Sequence, residues 1–297
     1  MLKPAFTIQA INFDEYRNSK IYYSGSERKE SIIIDNELYM VKYQKQKEFG
    51  KIHNHISEFI GSHIFELCGF KVHQTFLGYR NDEQVVVCKD FNEEGKQFIP
   101  FNGLKESTLD QDKKTYKYDY EDIMQILRDN SKLTNVSDTI STFWQIYIMD
   151  ALLGNFDRHG SNWGFIKENN NYTLSPVFDN GSCLFPGLID EDEMKEIIDS
   201  EEETYKRIYK FPTSQIKLNG RKSSYFEVIN SLQFSECNDA LRSVMPRINI
   251  SDILSLIDET PLISDIQKMF YKHMIVSRYE KILKASFDKL ISSRIEQ

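Results

Sequence analysis

The run Asp150-Ala151-Leu152-Leu153-Gly154-Asn155-Phe156-Asp157-Arg158-His159-Gly160-Ser161-Asn162, with Pro176-Val177-Phe178-Asp179 a short way downstream, constrains the chain more than any other stretch. Ile140, Phe143, Trp144, Tyr147, Ile148 and Leu152 recur at helical spacing, which predicts a helix over 137–153 that Gly154 stops in a left-handed turn. Asp157 and Asn162 then fall in a loop at a helix end. Two β-like stretches over 163–166 and 172–175, separated by the turn-prone Asn169-Asn170-Asn171, predict a hairpin that returns Asp179 to the mouth of that loop.

Phosphoryl transfer from ATP needs a carboxylate to orient the attacking hydroxyl and separate oxygen ligands for magnesium; an Asp, an Asn and a second Asp in this order supply them. On this reading Asp157 is the catalytic base, and Asn162 and Asp179 are the metal ligands. An ordinary helix-stop turn uses the same residue types. The rest of the chain has to distinguish the two.

The first third is β-rich. An edge strand is expected through Phe6, Ile8 and Ala10, and a small-residue loop at 24–31 leads into a strand. There Gly25 permits close approach to a phosphate and Arg28 or Lys29 offers charge, although a plain hairpin loop would look the same. The next strand, over 38–43, puts Leu38, Met40 and Lys42 on one face. A lysine on that face is expected to pair with a phosphate or a carboxylate, the alternative being a strand-end lysine that reaches water. Ile56, Phe59, Ile60, Ile64 and Leu67 predict a helix over 57–68 closed by Gly69, with Glu58 in its first turn as the natural partner of Lys42. A second hairpin, over 75–79 and 84–89, leads to Cys88-Lys89-Asp90-Phe91, which its place in the order makes a hinge whose backbone meets the adenine edge. Residues 92–118 read as a long surface connection, and helices are expected over 120–127, 253–257 and 263–283.

Composition excludes several classes. The nine carboxylates between Asp190 and Glu203, set against Lys195, account for the whole net charge of −8. The remainder is balanced, with no basic stripe for nucleic acid and no polybasic or apolar segment for a membrane, so a cytoplasmic protein is expected. The acidic run reads as a solvated helix face. Cys68, Cys88, Cys183 and Cys237 are scattered without a Cys-x-x-Cys pair and are expected to be reduced and buried. His53, His55 and His63 read as loop and helix-surface residues.

Taken together, Asn36-Glu37-Leu38-Tyr39-Met40-Val41-Lys42, Ser57-Glu58-Phe59, Gly69-Phe70-Lys71-Val72, Cys88-Lys89-Asp90-Phe91, residues 152–165 and Pro176-Val177-Phe178-Asp179 with Gly181-Ser182-Cys183-Leu184 stand in an order that resembles the HipA-like serine/threonine kinases, most closely their compact CtkA-type branch. The resemblance implies an α+β, protein-kinase-like two-lobed fold: a β-rich ATP-binding N-lobe over 1–91 and a mostly helical C-lobe over 92–297. It implies ATP and Mg2+ as cofactors, with Lys42, Gly25, Ser26, Lys29, Glu58, Lys89 and Asp90 on the nucleotide side, and Asp157, Asn162 and His159 as catalytic residues. Asn162 and Asp179 match the metal ligands, and Ser24 and Ser26 match a self-phosphorylated regulatory serine. Arg158 and His159 fit a bracing role as well as a catalytic one. An antitoxin or inhibitor protein is implied as a partner, and proteins of the aminoacyl-tRNA synthetase type as substrates. A lipid kinase of phosphoinositide type, and a nucleotide-binding pseudokinase that acts only by interaction, are the other readings of the same motif.

Overall fold

The computed structural model describes residues 8–23, 28–92, 95–105, 118–130 and 133–295. Its larger sheet has five strands in the spatial order Ile11–Asn12, Thr75–Arg80, Glu83–Lys89, Glu37–Tyr43 and Lys29–Ile34. All neighbours are antiparallel except Ile11–Asn12, which runs parallel to Thr75–Arg80. Both tight turns, Asp35-Asn36 and Asn81-Asp82, take positive φ at both central positions, the geometry that matches the twist of a two-residue hairpin. Strand alternation sorts the faces. Tyr39, Val41 and Tyr43 pack with Phe13, Ile32, Val85 and Val87 on one side, which leaves Met40 and Lys42 facing the other.

That other face is covered by the helix Asn54–Leu67, which begins three residues before the expected start. Glu58 therefore lies in the second turn, so the helix dipole does not explain it; its partners do. His55 corrects the surface reading of the histidines: it is fully buried, with Nε2 2.9 Å from Gln84 Oε1, and burial pulls its pKa down to about 4. The edge strand expected at 6–10 lies instead at Ile11–Asn12, and Phe6 is outside the described residues.

Residues 92–118 are more than a surface connection. Lys96–Pro100 is a strand that pairs along its whole length with Gly164–Glu168, whose other neighbour is Asn171–Leu174; the short helix Phe101–Lys105 follows, with Phe101 and Leu104 buried. The segment was hidden because it is polar and carries Pro100 at its end. An edge strand tolerates both.

The helix Val136–Leu153 opens on Asn135, whose side chain accepts from Asp138 N, and closes on Gly154 at φ 64°. It is buried on most of its faces and lies at the centre of the second half. Around it pack Tyr120–Asp129, Tyr225–Ser231, Ser235–Val244 and Asp265–Arg278, the last continuing through a wider turn at Tyr279–Lys284 into Ala285–Ile295; Ile250–Glu259 packs against Asp265–Arg278 and Asn54–Leu67. The acidic run forms the helix Glu191–Asp199 and the turn Glu201–Tyr205, with Met194 and Ile197 inward and most of the carboxylates outward. The four cysteines are free and buried. Among the described residues no helix is long and apolar enough to cross a membrane.

Gly164 is where the small sheet meets the loop that follows the central helix. A Cβ there would overlap the carbonyl oxygen of Ile99 and come within 2.8 Å of Pro100 Cα. Both obstacles are backbone, so Gly164→Ala should lower stability by about 1–3 kcal/mol, read as a lower urea midpoint. A midpoint equal to wild type would mean that the strand Lys96–Pro100 is not seated as described.

Candidate active site

Lys42 is the lysine that strand periodicity placed on the inner face, and it is almost wholly buried. With its side chain 4% exposed, its Nζ lies 2.9 Å from Glu58 Oε2 and 2.9 Å from Asp179 Oδ1. Burial alone would lower its pKa; the carboxylates of Asp179 and Glu58 reverse that and raise it well above the ordinary lysine value. Burial likewise works against the Glu58 carboxylate, and Lys42 and His73 outweigh it, holding the group far below the usual carboxylate range. Asp179 is also lowered: burial opposes its charge and Lys42 prevails.

Glu58 is joined to the segment after Asp179 as well. Its Oε1 accepts from the backbone N–H of Asn180 at 3.0 Å and lies 3.0 Å from His73 Nε2. Asn180, fully buried, also donates from Nδ2 to Ser62 Oγ and accepts from Arg158 Nη2 at Oδ1. One side chain thus touches both the glutamate helix and the loop that follows the central helix.

Arg158 completes this frame. Its guanidinium has five N–H donors, and all five are used: Nε and Nη2 to the two oxygens of Asp150, Nη2 to Asn180 Oδ1, and Nη1 to the carbonyls of Asn162 and Phe178. Burial would lower its pKa, but Asp150 raises it, so the group stays charged in the interior. Asp150 also accepts from Asn155 Nδ2, and Asn155 Oδ1 accepts from the Asp157 N–H. The bracing role of Arg158 is what this geometry displays.

The loop itself is tightly hydrogen-bonded. Asn162 Nδ2 donates to the Asp157 carbonyl at 2.8 Å, a bond that does not use its Oδ1. His159 Nε2 lies 4.0 Å from Asp157 Oδ2, and both side chains are well exposed. Lys29, Lys42, Lys89, Asp90, Asp157, His159, Asn162 and Asp179 all line one cleft of about 530 Å3, a volume suited to a nucleotide. Asn162 and Asp179 offer it hard oxygen donors, and Lys42 and Lys29 offer positive charge, so the residues present fit magnesium-bound phosphates.

Other expected residues have different partners. Lys89 Nζ lies 2.7 Å from Glu37, and the backbone N–H groups of Lys89 and Asp90 go to the carbonyls of Gln74 and Leu38, so those two donors are spent on the sheet. Asp90 Oδ2 accepts from Tyr23, whose ring lines the cleft. Ser24, Gly25 and Ser26 lie outside the described residues. Sequence reasoning missed Asp150, Asn180 and His73. For Asp150 the helical spacing held a usable signal, since it puts a carboxylate on a helix face otherwise lined by core residues.

A model of the family described as the HipA-like C-terminal domain matches residues 21–249. The chain is 33% identical over 293 residues to the serine/threonine-protein kinase CtkA of Helicobacter pylori strain J99, covering 96% of this chain and 90% of that protein. It is similar to the crystal structure of a Helicobacter pylori proinflammatory kinase CtkA, with a TM-score of 0.88, 31% identity, and 96% of this chain and 100% of that chain covered. HipA of Shewanella oneidensis MR-1, solved with HipB and its operator DNA, shares the fold at a TM-score of 0.50 and 12% identity, over 92% of this chain and 69% of that one.

Two outcomes follow from the buried charges. Asp150→Ala strands the Arg158 guanidinium and should cost about 3–5 kcal/mol in urea unfolding; a loss below about 1 kcal/mol would show that the brace is not needed. Because the folded pKa of Glu58 is depressed, its stabilisation is complete above the ordinary value near 4.5 and is lost as pH falls below it. The stability gap between wild type and Glu58→Gln should therefore narrow on acidification from pH 7 to pH 4, and a gap independent of pH would contradict the pairing.

Proposed function

The chain belongs to the family of HipA-like C-terminal domains, and on that premise we propose that it is a serine/threonine kinase whose transfer chemistry runs through the cleft of Lys42, Asp157, Asn162 and Asp179. Its fold is α+β and kinase-like. The observation that carries the assignment of residues is the position of Lys42, bridging Glu58 and Asp179 at 2.9 Å each in the cleft that Asp157 and Asn162 also line. A buried lysine between a helix carboxylate and a metal-type aspartate is costly to maintain for stability alone.

Lys42, oriented by Glu58, contacts the phosphates of ATP, and Lys29 adds charge from the neighbouring strand, where it stands opposite Lys42. Asn162 Oδ1 and Asp179 would hold magnesium, which would supply charge neutralisation on the phosphates. Asp157, at the open mouth of the cleft, orients the acceptor hydroxyl of a protein serine or threonine and accepts its proton. His159, near Asp157 on the solvent side, contacts the acceptor segment rather than the nucleotide. Catalysis is then positioning and electrostatics, with no covalent intermediate on the enzyme. Self-phosphorylation at Ser24 or Ser26 belongs to the same reading, because Ser26 precedes the cleft-lining Lys29 by only three positions in the chain.

Asp157→Asn keeps the size of the side chain and removes the base. It should lower kcat by at least about 100-fold while Mg-ATP affinity, measured by calorimetry, stays near wild type. Activity within a few-fold of wild type would overturn the role of Asp157, and a matching loss of ATP affinity would place it on the nucleotide instead.

A further inference from the structure

His73 is tied through its backbone to the segment that leads to Asp179. Its N–H donates to the Val177 carbonyl, and Lys71 O accepts from Val177 N–H, so residues 71–73 are bridged to the segment that ends at Asp179. Its ring is 2% exposed and sits edge-on to Phe178, with Nε2 3.0 Å from Glu58 Oε1 and 3.2 Å from Ser62 Oγ. An ionised carboxylate only accepts hydrogen bonds, so Nε2 carries the hydrogen. Glu58 thereby has the His73 N–H within reach of Oε1, beside the Asn180 N–H, and the Lys42 ammonium on Oε2.

The ring is also a partition. It lines the nucleotide cleft on one side, and on the other a pocket of about 160 Å3 formed with Ser62, His63, Glu66 and Thr75 behind the glutamate helix. Cys88 lies close enough to make Glu58, His73 and Cys88 a set of metal-type donors, all buried and within 4.8 Å of one another. Glu58 already divides its two oxygens among Lys42, His73 and Asn180, so the cluster is closed as a hydrogen-bonded unit.

Resting on the kinase reading above, we propose that His73 is a positioning residue for phosphoryl transfer: it aims the Glu58 carboxylate, and through it the Lys42 ammonium, at the phosphates. His73 does not touch the reacting atoms. Without its N–H, Glu58 keeps only Asn180 N–H on Oε1 and can rotate about its side chain, carrying Lys42 with it. Small displacements of a phosphate-binding group are expensive in rate, since misplacement by about 1 Å costs on the order of 100-fold.

The test uses the full-length chain and three substitutions. His73→Gln places an amide N–H where Nε2 stands; His73→Asn offers the same group one bond short of Glu58; His73→Leu keeps bulk and removes the donor. Each is measured for kcat and KM of Mg-ATP with myelin basic protein as acceptor, for thermal unfolding midpoint, and for labelling of Lys42 by an adenosine acyl-phosphate probe, which needs no transfer. The Leu and Asn variants should lose kcat by about 10- to 100-fold and label Lys42 several-fold more slowly, and Gln should recover most of both. If Leu does not fold, the Asn and Gln pair decides. Asn or Leu equal to wild type, or Gln no better than Asn, overturns the role of His73 alone. Wild type that neither labels Lys42 nor transfers phosphate overturns the kinase reading, and this inference falls with it.

Discussion

The buried guanidinium of Arg158 is the constraint on which the rest of the site depends. A charge at 5% exposure is tolerable only if its counter-ion and all its donors are satisfied. Asp150 supplies the counter-ion from the last turns of the central helix, and the remaining donors go to Asn162, Phe178 and Asn180. Its Nη1 therefore joins the loop that carries Asp157 and Asn162 to the segment that carries Asp179, through the carbonyls of Asn162 and Phe178. Moving either would uncover a buried charge.

From Asn180 the same network crosses to the sheet. Asn180 N–H holds Glu58, Glu58 holds Lys42, and Lys42 returns to Asp179. Each link is a charge-assisted hydrogen bond, buried at Glu58 and partly buried at Asp179, the kind that is strong when complete and costly when one partner is missing. The lysine strand, the glutamate helix and the loop of Asp157 and Asn162 are distant in the chain, and this closed polar circuit keeps them in register across the cleft. Surface charge plays little part in it. The carboxylates of 190–203 mostly face solvent, several paired locally with Lys195, Lys206 and Arg207.

What could be read from the sequence was whatever local pattern encodes. Alternation placed Lys42 on the inner face, the position of Glu58 near the start of the following helix made it the natural partner, and Gly154 marked the helix stop that presents Asp157 and Asn162. The hairpin after Asn162 was legible because its turn is built of asparagines. His73 and Asn180 were not recognised, since each acquires its role from a partner in another element: His73 from Glu58, Asn180 from Glu58 and Arg158; Asp150 was overlooked although its partner Arg158 follows in the next loop. The strand Lys96–Pro100 was missed for a related reason. Its residues do not alternate in polarity, and only the neighbouring Gly164–Glu168, with Gly164 allowing close approach, makes it a strand.

The central claim is that this cleft transfers phosphate, and intact-mass spectrometry tests it most directly. Wild type and Asp179→Ala are incubated with Mg-ATP, alone and with a bacterial lysate whose proteins are then mapped for phosphoserine and phosphothreonine. The account predicts phosphate on the chain itself or on lysate proteins with wild type, and none above background with Asp179→Ala. Equal phosphorylation by the two would remove the chemistry from this site, and no transfer by wild type to any acceptor would leave a nucleotide-binding protein in place of a kinase.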